Sequence, residues 1–285
     1  MGILTQNAVA QNFPNFDHSL LLETAPDTTA NISFGDFDGD GHLDILLVKG
    51  RHWPRVDRVL LGDGSGGIRK AYNLSEIADR SYTGADCIPF APYPATTIFA
   101  ADMNKDGFID LVVPHRDGGQ SYVYLGSSAV GFPDTRRIPF GPPDATIRVA
   151  AVADFDGDGI PDIVTIDENK GVNIYFGQKD HTYSAGISLA DSKVVPYALA
   201  VADLNNDGKT DIIVGHVGAP STVFLNDGTG RVFKSISFGD AQGTVYGFAI
   251  GDFNEDGVPD IAAARSGATS VLYFGSHLNS RASVK

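Results

Sequence analysis

Oxygen-rich nine-residue segments recur five times along this chain of 285 residues. Each has Asp or Asn at its first, third and fifth positions, Gly at its sixth and Asp at its ninth. Calcium takes six to eight oxygen ligands at about 2.3–2.6 Å, and Gly permits the sharp turn that brings such ligands together. The spacing therefore predicts one calcium site per segment and up to five calcium ions. The segments are 36–44, 102–110, 154–162, 203–211 and 252–260.

The predicted ligands are the side chains at positions one, three, five and nine and the backbone carbonyl at position seven. Magnesium fits less well, because it prefers near-ideal octahedral geometry and keeps its waters. Copy by copy, the ligands are Asp36, Asp38, Asp40, His42 and Asp44; Asp102, Asn104, Asp106, Phe108 and Asp110; Asp154, Asp156, Asp158, Ile160 and Asp162; Asp203, Asn205, Asp207, Lys209 and Asp211; Asp252, Asn254, Asp256, Val258 and Asp260.

Position twelve excludes the helix-loop-helix calcium site, which shares the first six positions. That site requires a bidentate Glu at position twelve. The five copies have Leu47, Val113, Thr165, Val214 and Ala263 there. Short runs of β-branched residues follow the ninth position in several copies, which is typical of buried strands. Each segment is therefore predicted to be the turn of a β-hairpin.

The spacing of the copies predicts the architecture. Their first aspartates are separated by 66, 52, 49 and 49 residues, and periods of about 40–50 residues with several short strands are typical of β-propellers. We predict an all-β fold, a five-bladed β-propeller of four-stranded antiparallel blades with one calcium loop per blade. The first interval is longer because of a large loop between Ser75 and Ala95.

The last repeat is predicted to lack its outermost strand, because a polar tail follows Gly275. An unpaired segment, 16–23, precedes the first repeat, and its pairing with the last blade would remove exposed strand edges. We therefore expect the N-terminal segment to close the ring. The predicted organisation is an N-terminal extension at 1–14, a single propeller domain at 15–275 and a tail at 276–285.

Residue size alternates along the first strand of each repeat. The first and third residues before the first Asp are mostly small, such as Gly35 and Ala153, whereas the second and fourth are larger, such as Phe34 and Val152. Successive side chains of a strand lie on opposite faces of the sheet. The small face of one blade is therefore predicted to pack against the large face of the next.

These motifs resemble the calcium-binding FG-GAP repeat, also known as the VCBS repeat, of integrin α-subunit propellers and secreted microbial proteins. The resemblance covers roughly residues 15–275. The loop pattern matches in all five copies, and the short motifs that name the family recur at Phe176-Gly177, Phe274-Gly275 and Gly218-Ala219-Pro220. The resemblance implies the fold and the calcium. Family members usually have seven blades, and some are fungal lectins that bind sugars between blades; five copies depart from that number, so sugar sites are not transferred.

Composition narrows the classes of partner. The formal charge is −14, and much of the acidity lies at the predicted calcium ligands, so nucleic acid is not expected as a partner. No apolar stretch is long enough to span a membrane. Residues 1–11 lack the pattern of a secretion signal, and the single cysteine, Cys87, permits no internal disulfide. Weak calcium sites suit millimolar extracellular calcium, which favours a secreted or periplasmic location, although a cytosolic one stays open. The oligomeric state is not predicted.

Polar residues recur where each second strand ends, five positions beyond the last aspartate of the loop. They should surround the mouth of the propeller on the face opposite the calcium loops. Six residues before each first aspartate, Arg148, Tyr197 and Tyr246 should rim the same mouth. The ring residues are Lys49, His115, Asp167, His216 and Arg265, and beside them lie Arg51, His52, Trp53 and Arg116. An ordinary set of solvated strand ends explains the same pattern.

Two functions fit this mouth. The first is a lectin-like binding module for a carbohydrate or other polar ligand, in which aromatic rings stack on the ligand and polar groups hydrogen bond to it. Its predicted ligand-binding residues are Lys49, Arg51, His52, Trp53, Arg116, Asp167, Tyr197 and Tyr246.

The second is an enzyme similar to a polysaccharide lyase, since some calcium-bearing propellers are lyases. His115 or His216 would be the general acid or base, and Arg148 or Arg265 would stabilise an anionic intermediate. Two further interpretations stay open: a transition-metal site at His52, His115 and His216, and a packing role for Trp53.

Overall fold

The computed structural model describes residues 20–24, 29–49, 57–73, 98–115, 119–127, 136–190 and 194–275. These residues form nineteen β-strands and no α-helix. The strands are β1 Thr29–Gly35, β2 Asp44–Lys49, β3 Arg58–Gly62, β4 Ile68–Asn73, β5 Phe99–Ala101, β6 Asp110–Val113, β7 Ser121–Tyr124, β8 Arg137–Phe140, β9 Ile147–Ala153, β10 Asp162–Asp167, β11 Gly171–Tyr175, β12 Ile187–Ala190, β13 Pro196–Ala202, β14 Asp211–His216, β15 Ser221–Asn226, β16 Phe233–Phe238, β17 Thr244–Gly251, β18 Asp260–Ser266 and β19 Val271–Tyr273.

The strands pair in chain order into five antiparallel sheets. We call these blade 1 (β1–β4), blade 2 (β5–β8), blade 3 (β9–β12), blade 4 (β13–β16) and blade 5 (β17–β19). The first four have four strands and blade 5 has three. The prediction of an all-β fold built from one antiparallel sheet per repeat is confirmed.

Each nine-residue segment, called an acidic loop below, joins the first strand of its blade to the second. In blade 3 the last residue of β9, Ala153, pairs with the first residue of β10, Asp162. Gly35 and Asp44 pair in the same way in blade 1. The loops are therefore hairpin turns, as the β-branched runs after the ninth position predicted.

Neighbouring blades pack through the predicted alternation of small and large residues. On β9 the small residue Ala151 faces blade 4, where it joins a cluster with Ile212 and Val214. On β13 the larger residues Leu199 and Val201 pack into that same cluster. Equivalent clusters join blades 1 and 2, blades 2 and 3, and blades 4 and 5. The apolar core is therefore a series of interfaces between sheets.

Closure by the N-terminal segment is not observed among the described residues. Residues 16–19 lie outside them, and 20–24 form no strand. The Glu23 carboxylate accepts a hydrogen bond from Arg58 of blade 1 at 3.3 Å, so this end of the segment contacts the first blade. The extension at 1–14, the loop between Ser75 and Ala95 and the tail at 276–285 also lie outside the described residues.

The first strands share an irregularity at the end away from the acidic loops. Each carries one extra residue relative to its partner strand in blades 1, 3, 4 and 5. Such a β-bulge bends the strand and changes the direction of a side chain. The extra residues are Ala30, Arg148, Tyr197 and Tyr246.

Candidate functional site

The acidic loops are organised by hydrogen bonds from the backbone to their own carboxylates. In blade 3, Asp154 Oδ2 accepts the amide of Gly159 at 2.8 Å, and Asp158 Oδ1 accepts the amide of Ile160 at 2.8 Å. Asp and Asn side chains commonly stabilise turns in this way. The first and fifth positions make the equivalent bonds in all five loops. The turn therefore positions the carboxylates around one centre.

Two loops bring three carboxylates close together. Ligand atoms of Asp36, Asp38 and Asp40 lie within 4.8 Å of one another in blade 1, and those of Asp154, Asp156 and Asp162 do so in blade 3. Both loops have Asp at position three. This donor set of several carboxylate oxygens fits a hard divalent cation such as calcium.

The other three loops have Asn at position three, whose amide nitrogen donates to the carboxylate at position five. Asn104 Nδ2 lies 3.0 Å from Asp106 Oδ2, and Asn205 and Asn254 make the same bond to Asp207 and Asp256 at 3.1 and 3.0 Å. The remaining predicted ligands, Asp102, Asp203 and Asp252, accept loop amides.

The residue at position seven, whose carbonyl is a predicted calcium ligand, also donates a hydrogen bond from its backbone amide. Its amide bonds to the carboxylate at position five in every loop. The metal role of its carbonyl stays a prediction for His42, Phe108, Ile160, Lys209 and Val258.

The ninth-position aspartate has a structural role that sequence reasoning missed. Asp162 is fully buried; its Oδ2 accepts the amide of Phe155 at 2.8 Å and its Oδ1 that of Gly177 at 2.9 Å. Burial raises the pKa of Asp162 to about 7 and that of Asp110 to about 6. All five ninth aspartates tie their loop to the residue that ends or follows the third strand. They are Asp44, Asp110, Asp162, Asp211 and Asp260.

An arginine lies against the acidic loop of blade 1. The Arg69 guanidinium, on β4, hydrogen bonds to Asp38, and its Nη2 lies 2.8 Å from Asp40 Oδ2. Its Nε donates to the carbonyl of Gly62 at 2.9 Å. The first loop thus has a positive charge of its own against two of its predicted ligands.

At the opposite end of the blades, three bulge residues form a continuous row. The Arg148 guanidinium carbon lies 3.5 Å from the centre of the Tyr197 ring. The Tyr197 and Tyr246 rings meet edge to face with their centres 4.8 Å apart. Arg148 Nη1 also donates to Glu168 Oε1 at 3.0 Å, and half of the Tyr246 surface is exposed. We call Arg148, Tyr197 and Tyr246 the bulge row.

The predicted ring residues are held largely by local contacts. Asp167 is buried and accepts the Thr146 hydroxyl at 2.7 Å and the Thr146 amide at 2.8 Å. His216 Nδ1–H donates to the carbonyl of Pro220 at 2.7 Å, and burial lowers its pKa. Arg265 donates to Asp240 at 2.7 Å and to the carbonyl of Thr269 at 2.5 Å. Asp240 lies on a connecting loop, and no sequence signal pointed to it.

His115 is buried, with its ring 6.3 Å from that of Tyr122 in an edge-to-face arrangement. Burial and the nearby charge of Arg137 lower its pKa to about 4. The ring is therefore neutral at pH 7. The catalytic roles of His115, His216, Arg148 and Arg265 stay predictions.

Several predicted ligand-binding residues lie wholly or partly outside the described part of the chain. Lys49 is the last residue of β2, but its side chain lies outside the described part of the chain. Arg51, His52, Trp53 and Arg116 lie outside the described residues altogether. The transition-metal interpretation and the packing role of Trp53 depend on these positions and also stay predictions.

Similar folds occur among solved structures. A lectin of Agrocybe aegerita that recognises non-reducing terminal N-acetylglucosamine is similar over 83% of this chain, with a TM-score of 0.55 and 21% identity. The chain spans 61% of that lectin. BBS1N, solved in complex with ARL6DN, is similar over 90% of this chain and 70% of its own, with a TM-score of 0.53 and 12% identity. At these identities the likeness concerns the fold alone.

No curated protein sequence matches the chain. Among the described residues there is no helix long and apolar enough to cross a membrane. The FG-GAP-like repeat matches residues 102–165, 154–214 and 203–263. These segments together cover more than half of the 285 residues, and the chain therefore belongs to the family of FG-GAP-like repeat proteins.

Proposed function

We propose that this protein is a calcium-stabilised binding module of the propeller type that recognises a carbohydrate at the end of its blades opposite the acidic loops. The bulge row is the observation that carries this proposal. It places a guanidinium and two phenol rings side by side on three consecutive blades. The site is therefore built from the blade framework and not from one loop.

The chemistry of the bulge row suits a sugar. Aromatic faces pack against the C–H groups of a pyranose ring, and a phenol hydroxyl and a guanidinium hydrogen bond to its hydroxyl groups. Tyr246 offers the most accessible ring, since half of its surface is exposed. Arg148 is held by both Glu168 and Tyr197. Less side-chain entropy is lost on binding when such groups are already ordered.

A solved structure of similar fold also favours a binding role. The Agrocybe aegerita lectin shares the fold and recognises a terminal N-acetylglucosamine, which makes amino sugars the first class to test. The remaining ligand-binding residues of the proposal are Lys49, Arg51, His52, Trp53 and Arg116, and Asp167 contributes by fixing the turn that carries Glu168.

Calcium enters the proposal as a structural ion at the acidic loops. Side-chain oxygens at positions one, three, five and nine would hold it, and it would neutralise the repulsion between their carboxylates. Bound calcium supplies rigidity to the hairpins. The three-carboxylate clusters of blades 1 and 3 support this role most directly. Open sites of this kind suit millimolar calcium, and we propose a secreted or periplasmic location on that ground.

The test is sugar binding by a matched pair of variants. Tyr246→Ala removes the exposed ring of the bulge row, and Phe253→Ala removes an exposed ring on an acidic loop at the other end of blade 5. With glycans found on an array and measured by calorimetry, we expect Tyr246→Ala to weaken binding about tenfold, since an aromatic contact contributes about 0.5–1.5 kcal/mol beyond its buried area and about 1.4 kcal/mol is a factor of ten. Phe253→Ala should bind as the wild type does.

Tyr246→Phe separates stacking from hydrogen bonding, because it keeps the ring and loses the hydroxyl. We expect its affinity to lie between those of the wild type and Tyr246→Ala. Binding that is equally strong in Tyr246→Ala and the wild type would remove the bulge row from the site. The absence of any glycan bound at millimolar concentration would refute the carbohydrate proposal.

A further inference from the structure

Blades 1 and 5, at the two ends of the series, each expose a face of the kind that is buried between neighbouring blades. Between neighbouring blades, the small residues of one first strand pack against the large residues of the next. Among the described residues, no blade lies against the large face of blade 1 or against the small face of blade 5. No apolar cluster of the described residues joins blade 1 to blade 5.

The open large face of blade 1 consists of Ile32 and Phe34. Phe34 is 64% exposed and Ile32 is 50% exposed. Ile98 occupies the position of Ile32 in blade 2, where it packs against blade 1 and is only 2% exposed. In blades 3 to 5, which also follow another blade, the same position is buried or partly buried.

The open small face of blade 5 includes Ala249, Gly251 and Ala264, all exposed. A Cβ atom at Gly251 would meet nothing within 4 Å, whereas at Gly35, the same position in blade 1, it would meet Ile109 of blade 2 at 3.4 Å. A shallow apolar groove crosses this face, and it is lined in part by Gly247, Ala262 and Leu272. We include these three residues in the open small face.

We propose that the open small face of blade 5 binds the open large face of blade 1 in a second copy of this chain. The four interfaces between successive blades indicate this partner, because each of them packs a small face against a large face within the chain. Phe34 and Ile32 of one copy would pack over the Ala and Gly positions of β17 and β18 in the other. The new interface continues the existing series.

This association is head to tail, because the two surfaces are different. A heterologous interface leaves one free face of each kind on every dimer, so further copies add until the rotation closes a ring or a filament forms. One blocked face on each of two molecules therefore limits assembly to a dimer.

The experiment uses two single variants of the full chain, with light scattering after size exclusion. Phe34→Arg blocks the large face, and Ala249→Arg blocks the small face. Each variant alone should associate at least about tenfold more weakly than the wild type, because the guanidinium would be buried without a partner. An equimolar mixture should form a one-to-one dimer through its remaining intact pair of faces. The wild type should increase in mass with concentration.

Val232→Arg is the matched control, since Val232 is 60% exposed in blade 4 and belongs to neither face. It should associate as the wild type does. Circular dichroism and melting temperature verify the fold of each variant, and Ile32→Arg replaces Phe34→Arg if that variant fails to fold. A wild type that keeps the mass of one chain at all concentrations, with a mixture that stays monomeric, would overturn the proposal.

Discussion

The carboxylate of Asp162 accepts the amide of Gly177 at 2.9 Å and so ties the acidic loop of blade 3 to the segment after its third strand. Its other oxygen accepts the amide of Phe155 at 2.8 Å within the loop. Because the same pair of bonds recurs in every blade, the ninth aspartate of the motif stabilises the sheet even where no cation contributes. The motif therefore combines a fold-stabilising residue with candidate cation ligands.

Asp162→Asn should lower the free energy of unfolding by about 1–3 kcal/mol in the presence of a chelator, the cost of a buried amide left without its acceptor. An Asn side chain keeps one acceptor oxygen and turns an NH₂ group towards the other amide. Denaturant titration measures the change. Asp158→Asn is the control, since its carboxylate accepts a single exposed loop amide, that of Ile160; equal losses in the two variants would contradict the structural role.

Short-range spacing was enough to predict the hairpins, the sheets and the packing between blades. The ninth aspartate could be placed at the start of a strand because the apolar run after it is regular. The alternation of Gly35 with Phe34, or of Ala153 with Val152, assigns each residue to a face because the strand period is two. These features belong to the repeat itself, so each of the five copies gives independent support to the same prediction.

The details of the mouth depend on contacts between blades and on loops that differ from repeat to repeat. Arg148, Tyr197 and Tyr246 were predicted to lie near one another, but nothing in the pattern showed that each is the extra residue of a bulge. Asp167 and Arg265 were predicted to line the mouth of the propeller, with solvated strand ends as the alternative. They instead bond to Thr146 and Asp240, which lie 21 and 25 residues away and outside the repeat pattern.

Asp167→Ala should destabilise the protein by about 1–3 kcal/mol, because the buried side chain accepts the Thr146 hydroxyl and amide and two further amides of its own turn. Thermal and denaturant unfolding measure this loss. Asp144→Ala is the control: its exposed carboxylate pairs with Lys170 at 2.6 Å, and exposed ion pairs contribute about 0–1 kcal/mol. An unchanged stability of Asp167→Ala would show that the turn does not need this carboxylate.

Arg69→Gln should strengthen calcium binding at the first acidic loop. The Arg69 guanidinium lies against Asp38 and Asp40, so calcium must displace it or bind beside a like charge. Calorimetric titration should show one site tightened severalfold, and Lys70→Gln, on the same strand and over the Tyr72 ring, should leave all sites unchanged. The gain should vanish when Asp38→Ala is added, since the first loop then loses a ligand. A gain that persists would place the effect at another loop.

His115 should make the protein sensitive to acid. Burial lowers its pKa to about 4 in the folded protein, whereas an unfolded chain has the ordinary value of about 6.5. Between these two values the unfolded chain binds a proton that the folded protein does not, so the free energy of unfolding falls as the pH is lowered through this range. From pH 7 to pH 5 this loss should be about 2 kcal/mol, at about 1.4 kcal/mol per pKa unit.

The variant His115→Gln tests this, because its side chain takes up no such proton. In denaturant titrations, the difference in free energy of unfolding by which it falls below the wild type should shrink by that amount over the same pH range. His181→Gln, at an exposed position, should follow the wild-type curve throughout. Parallel curves for His115→Gln and the wild type would mean that the buried ring does not resist protonation.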